Sequence, residues 1–403
     1  MFADRADRGS APRLAIVGTR DPRLPTLLSD LQRAGPTLAG LRLFEPSTPG
    51  AIDEGLRAAA GTLPFEVATD LPSALRDATV VLHLADAGTL ASRRLDTRLP
   101  LELGLPAHPA FGPAGLLRAC RAIPQALELA EAVATHAPHA VLLQGADPIG
   151  LVTQALHDAG RRAFGLAPEP FASRALFESL APGAVTLRGG LLGVGGVAWL
   201  EGLDCMGAHW EAPAGTLEMP AELDGEQRLR LQHAARIGRA MPEEGWPTSQ
   251  LAVYAYPKEF VELARERADA VGSTRDRPRA PAPLSEAIRA ALGSLGGGAL
   301  APLHRPNDGL SEAFERDTVV LALGSLGDGP TDRPATRPKA LGELLRRLER
   351  YQRLAAHAIA RRGDLTAALE ANPLVANEEL AARLLERART RYPDPAPALR
   401  AAA

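Results

Sequence analysis

Six short apolar runs dominate the first 167 residues and constrain the fold more than any other feature of this chain. They read RLAIVG (13–18), LRLFEP (41–46), FEVATD (65–70), TVVLHLA (79–85), AVLLQG (140–145) and RAFGLA (162–167). Runs of this length bounded by polar or turn residues read as strands. Segments 24–34, 71–78, 112–138 and 149–160 instead repeat apolar positions at helical spacing. Strands alternating with helices close right-handed βαβ units. The region is therefore expected to be a Rossmann-like, doubly wound parallel sheet. Such a sheet takes ligands outside the carboxyl ends of its strands.

The pattern changes after residue 188. GGLLGVGGVAWLEGL (189–203) reads as strand and turn, 223–241 and 258–271 as helices, and the Pro- and Arg-rich 272–284 as a loop. Strong helices are expected over 340–362 and 377–392, with PDPAPALRAAA after them frayed. With 403 residues the chain is long enough for two domains. The division predicted is a dinucleotide-binding-type domain over 1–188 and a helix-rich α+β domain over 189–403. A net charge of -3 gives no footprint for nucleic acid or an anionic membrane. The only cysteines, Cys120 and Cys205, have no CxxC spacing, so a disulfide framework is not expected and a reducing compartment fits. MFADRADRGSAPR has no apolar core of a signal peptide, and no apolar run reaches membrane-spanning length. The expectation is a soluble, cytoplasmic protein. The nine histidines form no HxxxH or HExxH pair.

Several segments, taken in order, resemble glycoside hydrolase family 4, the NAD- and metal-dependent 6-phospho-glycosidases. EVATDLPSALRDATVVLHLADAGTLASRRLDTRLPLELGL (66–105) follows that family's strand, helix and crossover. FGPAGLLRACRAIP (111–124) is similar to its Gly-rich segment and Arg-x-Ile-Pro helix. LLQGADPIGLVTQAL (142–156) stands at its Asn-Pro turn, FGLAPEP (164–170) at its strand ending in Cys, and GVGGVAWL (193–200) at its Gly-x-Asn-His-x-x-Trp. PNDG (306–309), DTVV (317–320), the 340–362 helix and ANPLV (371–375) continue the likeness to the end of the chain.

The resemblance implies a redox-elimination cycle, unlike the two-carboxylate route of most glycosidases. NAD takes hydride from C3 of the sugar, a base removes the C2 proton, and Mn²⁺ or a similar metal steadies the enediolate. The metal-ligating Cys and His of the family are Ala167 and Gly196 here, and the Asn before that His is Gly195. Neither alanine nor glycine has a side chain that binds metal. His209 and Cys205 are the only nearby replacements, and both also read as ordinary structural residues. The Tyr that serves as base in many members is Gln250, which has no useful pKa. Tyr254 and Tyr256 follow it and suit packing.

The cofactor positions implied are Gly18, in VGTRDPRLP (17–25), and Glu45, an acid at the end of the second strand suited to a ribose diol. Only one glycine remains in that turn, and Asp21 with two prolines makes its approach stiffer and negatively charged. For the sugar, Arg93 and Asp96 match the family's Arg-x-x-Asp, where an arginine fork engages phosphate. Asp147 replaces the Asn of the Asn-Pro turn and is a third substrate-binding candidate, able to hydrogen-bond a sugar hydroxyl although its charge disfavours a nearby phosphate. Asp86 replaces an upstream Arg and would repel a phosphate. Arg121 reads as a helix-surface or packing residue.

Three readings follow. One is a family 4 scaffold whose catalytic set is lost and which binds at most a sugar, a sugar phosphate or NAD. Another is an active NAD-dependent glycosidase with relocated ligands. The third is a metal-independent NAD-type oxidoreductase. The resemblance also implies a homodimer or homotetramer.

Overall fold

The computed structural model describes residues 11–34, 38–168, 170–171, 185–187, 190–195, 197–200, 203–205, 208–210, 281–295, 299–326, 342–375 and 377–401. The expected helices over 223–241 and 258–271, and Gly196, Gln250, Tyr254 and Tyr256, lie outside these residues.

The six apolar runs form β1 (Arg13–Val17), β2 (Gly40–Phe44), β3 (Glu66–Val67), β4 (Val80–His83), β5 (Val141–Gln144) and β6 (Ala163–Leu166). They pair in parallel in the order β3-β2-β1-β4-β5-β6. That order is the doubly wound dinucleotide-binding arrangement. Every residue of β4, β5 and β6 is buried, as expected of strands covered on both faces. One face carries α1 (Leu24–Ala34) and α2 (Glu54–Ala60). The other carries α3 (Leu71–Leu75), α4 (Leu90–Glu102), α5 (Pro113–His136) and α6 (Ile149–Asp158). Helix starts follow local chemistry: Asp53, Asp70 and Thr89 each accept a first-turn N–H of the following helix.

Strands from the second half of the chain extend the same sheet. Beyond β6 come β12 (Ala301–Pro306), β13 (Val319–Gly324), β8 (Leu191–Val194) and β9 (Val197–Leu200), all antiparallel to their neighbours. The remaining strands, β7 (Val185–Leu187), β10 (Leu203–Cys205) and β11 (Ala208–Trp210), form a separate three-stranded sheet. Among the described residues this sheet is thus ten-stranded and mixed.

Helix α7 (Pro281–Gly293) packs against α1 and β12. Its first residues fall within the expected 272–284 loop. Proline is tolerated in a first helical turn because the N–H it lacks has no partner there. Leu284, Ala287, Ile288, Ala291 and Leu292 recur at helical spacing, and all are buried. Helix α8 (Gly342–Arg361) covers the α5/α6 face, followed by α9 (Leu365–Ala371) and α10 (Glu378–Arg391). Gln352, in the middle of α8, donates to Gln154 Oε1 (3.0 Å) and the Val319 carbonyl (2.8 Å) and accepts the Gly195 N–H (3.1 Å). One buried amide therefore ties α6, β13 and the β8–β9 turn together.

The frayed C-terminus expected from composition is not what forms. α11 (Pro397–Ala401) docks on α5 and α8 with Ala398 and Leu399 buried. Apolar burial there outweighs the entropy that frays most termini.

Candidate functional site

The carboxyl ends of β1, β4 and β5 are where this topology receives a ligand. At β1 the chain turns through Gly18, whose φ is +101° and whose N–H donates to the Phe44 carbonyl at 2.9 Å. A Cβ at this position would stand 2.1 Å from the Ala85 nitrogen, so only glycine fits.

Glu45 follows β2, as its place in the sequence suggests, but it faces the chain's own backbone. Its Oε2 accepts the amides of Thr19 (2.9 Å) and Arg20 (3.2 Å) and the Thr19 hydroxyl (3.4 Å). Its Oε1 accepts the Ser47 hydroxyl (2.5 Å) and amide (3.2 Å). A carboxylate offers about four lone-pair positions, and these five contacts use them. Burial would raise the Glu45 carboxyl. The Ser47 hydroxyl and the amides of Ser47, Arg20 and Thr19 outweigh it and hold the group below the usual glutamate range.

The negative charge foreseen in this turn is also answered internally. Asp21 takes a two-point ion pair from Arg23, with Nε at 2.9 Å and Nη2 at 2.6 Å, and accepts the Arg23 amide at 2.8 Å. The same guanidinium reaches the Gly145 carbonyl at 3.3 Å, just beyond β5.

Beyond β4 and β5 lies a chain of charges. Asp86 holds Arg93 at 3.1 Å and Arg118 at 2.7 Å, and Arg118 also reaches Asp147 at 3.5 Å. The expected substrate ligands Arg93 and Asp147 and the unfavourable acid Asp86 thus share one part-exposed network. Arg118, on α5, bridges it. It went unnoticed in the sequence because only its neighbour Arg121 stands in the Arg-x-Ile-Pro match. The helical spacing of three that sets the two on adjacent turns was the available signal.

Asp96 is not brought to this network. It is buried, pairs with Arg121 at 2.6 Å and accepts the Tyr392 hydroxyl at 2.5 Å. Arg121 also lies over the Tyr392 ring, 5.3 Å from its centre. The residue expected to bind sugar holds α4, α5 and the chain's C-terminal segment together. Below both regions, His83 on β4 meets Gln144 across the β4–β5 register at 2.6 Å. Burial pushes the His83 ring down to about 4 despite that hydrogen bond.

The residues at the family's metal positions do not fit a metal. Ala167 is fully buried just past β6 and presents a methyl group. The N–H of Gly195 is turned to Gln352, and Gly196 has no side chain. Among the described residues no group of three or more His, Cys, Asp or Glu could hold an ion. No helix among them is long and apolar enough to cross a membrane. A separate groove of about 600 Å³, lined by Asp317, Arg350, Arg353 and His357 among others, lies along α8, and none of the expected site residues lines it.

Comparison with known proteins agrees with this architecture. The model of the family 4 glycosyl hydrolases matches residues 47–180. A probable 6-phospho-beta-glucosidase of Bacillus subtilis (strain 168) is 35% identical over 94 residues, 23% of this chain and 21% of that protein. An alpha-galacturonidase of the same organism is 26% identical over 222 residues, 50% of each chain. The chain thus aligns with about a fifth of the first curated relative and half of the second. A 6-phospho-alpha-glucosidase from gut microorganisms, solved in complex with NAD and glucose-6-phosphate, superposes with a TM-score of 0.75 at 16% identity, over 96% of this chain and 100% of that one. At that identity the superposition speaks for the fold alone. The family model over residues 47–180, the partial sequence relatives and the fold point the same way: the chain is similar to the family 4 glycosyl hydrolases.

Proposed function

We propose that this chain is a family 4 glycosidase scaffold that has lost the redox-elimination cycle and retains at most the binding of a sugar, a sugar phosphate or a dinucleotide. The observation that carries the reading is Ala167. A buried methyl stands where the resemblance calls for a metal-ligating thiolate, and the glycines at 195 and 196 have no side chain to offer. Without a charge-stabilising metal the C2 proton is too weakly acidic to leave, and Gln250 supplies no base. Loss of one transition-state donor alone costs about 10²–10³ in rate, and members of a cooperating set fail together.

Ligand binding is proposed for the network of Asp86, Arg93, Arg118 and Asp147, because those side chains are part-exposed at the carboxyl ends of β4 and β5. Glucose-6-phosphate, held by the structural relative, is the first probe. The division into a 1–188 and a 189–403 domain, a cytoplasmic location and homo-oligomeric assembly are parts of the same proposal.

The test is release of nitrophenol from phosphorylated and unphosphorylated nitrophenyl glycosides of both anomers, with NAD, Mn²⁺ and a reductant supplied. No release above the buffer rate is expected. Turnover that disappears when NAD or Mn²⁺ is removed would replace this reading with one of relocated ligands.

A further inference from the structure

We infer that the pyrophosphate seat of this sheet is filled by the chain itself: Asp21 occupies the anion position at the N-terminus of α1, Arg23 latches it there, and a dinucleotide binds only by displacing Asp21. The inference deepens the proposed function and rests on it for the idea that binding outlived chemistry.

A dinucleotide fold seats pyrophosphate on amides of the first turn and on the first turn of the following helix. Here the Gly18 amide goes to the Phe44 carbonyl, and those of Thr19 and Arg20 go to Glu45. The Arg23 amide goes to Asp21 Oδ1, and that of Leu24 to the Asp21 carbonyl. Pro22 and Pro25 have no N–H to offer.

Position and burial agree with this count. Asp21 lies three residues before α1, and its carboxylate accepts the amide of Arg23 just ahead of the helix, at an end that favours an anion. The side chains of Arg23 and Asp21 are only 8% and 7% exposed, so the pair is packed in rather than solvated. Arg23 extends from the β1 turn to the Gly145 carbonyl, and β4 lies between β1 and β5. The guanidinium therefore crosses the carboxyl end of β4, at the point where the strand order reverses. Once Asp21 is withdrawn, the same fork suits a phosphate oxygen, exchanging one anion for another.

The experiment is calorimetric titration of the whole chain with NAD and with ADP-ribose. Asp21→Asn keeps the shape and the acceptor for the Arg23 amide while removing the competing charge. It is expected to bind both ligands at least tenfold more tightly than the unmodified chain, and Asp21→Asn with Arg23→Met should lose that gain. Equal affinity in the unmodified chain and Asp21→Asn overturns the inference, as does a gain that survives loss of Arg23. Should Asp21→Asn fold poorly, crystals of the unmodified protein soaked with ADP-ribose decide. An unfilled turn, or pyrophosphate with Asp21 swung away, supports the latch. Pyrophosphate bound while Asp21 still pairs with Arg23 refutes it. Glycoside turnover by the unmodified chain would sink the preceding proposal, whereas an affinity indifferent to Asp21 sinks this one alone.

Discussion

The β1–α1 turn and the charged network beyond β4 and β5 occupy the same end of one sheet, yet they neutralise charge in opposite ways. In the turn the side chains of Asp21, Arg23 and Glu45 are buried, Asp21 pairing with Arg23 and Glu45 accepting backbone amides and the Thr19 and Ser47 hydroxyls. In the network, Asp86 and Arg93 keep 34% and 40% of their side chains exposed, so their pairing competes with water. A buried ion pair is costly to break, because each partner is left uncompensated. An exposed one exchanges partners at little cost. The first region therefore gives up its carboxylate only at a cost, whereas the second can exchange partners cheaply.

The largest effect that would sharpen this contrast is expected at Gly18. Gly18→Ala forces a non-glycine residue to a φ of +101° and drives its Cβ onto the Ala85 backbone. A loss of about 4 kcal/mol is expected from conformational strain plus overpacking. Urea denaturation reads it directly. A loss near zero would mean that the turn is not rigid and would dissolve the comparison.

A smaller effect is expected from acid. His83 and His304 are both buried, and burial pushes each ring down to about 4. The unfolded chain takes up those protons near pH 6.5, the folded chain only near 4. The stability these neutral rings contribute is complete above about pH 6.5 and is lost as pH falls toward 4, by about 3 kcal/mol for each ring. Carboxylates such as Glu45, held below the usual range, add their loss at still lower pH. Denaturant midpoints between pH 7.5 and 4.5 should fall steeply, and His83→Gln with His304→Gln should flatten the slope. An unchanged slope in the double variant would show that the sheet floor beneath the two regions is not the acid-sensitive part.

The smallest effect belongs to the network. Arg118→Gln removes the bridge between Asp86 and Asp147, yet it should cost about 1 kcal/mol or less, as part-exposed pairs do. A thermal melt is sufficient to check it. A loss as large as that at Gly18 would place the network with the turn, as structure.

Much of this architecture can be read along the chain. The apolar runs of β1, β2, β4, β5 and β6 carry the parallel sheet to within a residue or two, because strands buried on both faces need continuous apolar sequence. Less legible was α7: its spacing at 284, 287, 288, 291 and 292 is helical, but the preceding prolines and arginines read as a loop. β12 joined the sheet through pairing with β6, and β13 through β12 and β8; the link to β6 is non-local and leaves little trace in either strand alone. Among site residues, Gly18 could be recognised from its turn. Asp96 could not be separated from Arg93, since three positions along a helix put both on nearly the same face, and only the placing of Arg121 and Tyr392 draws Asp96 inward.

Sequence by itself determined which groups exist. It put a methyl at Ala167, nothing at Gly195 and Gly196, an amide at Gln250, and a lone glycine in the first turn. Those facts decide what these positions themselves cannot supply, because no packing can give a side chain atoms it lacks. Tertiary structure alone decided where the remaining charges spend themselves. Glu45 meets Thr19 and Arg20 across 26 and 25 residues, and Asp96 meets Tyr392 across 296. A carboxylate in water accepts any donor, but in a closed fold it takes the donors that burial leaves within reach. That selection is long-range, and it turned two expected ligand-binding acids into internal partners.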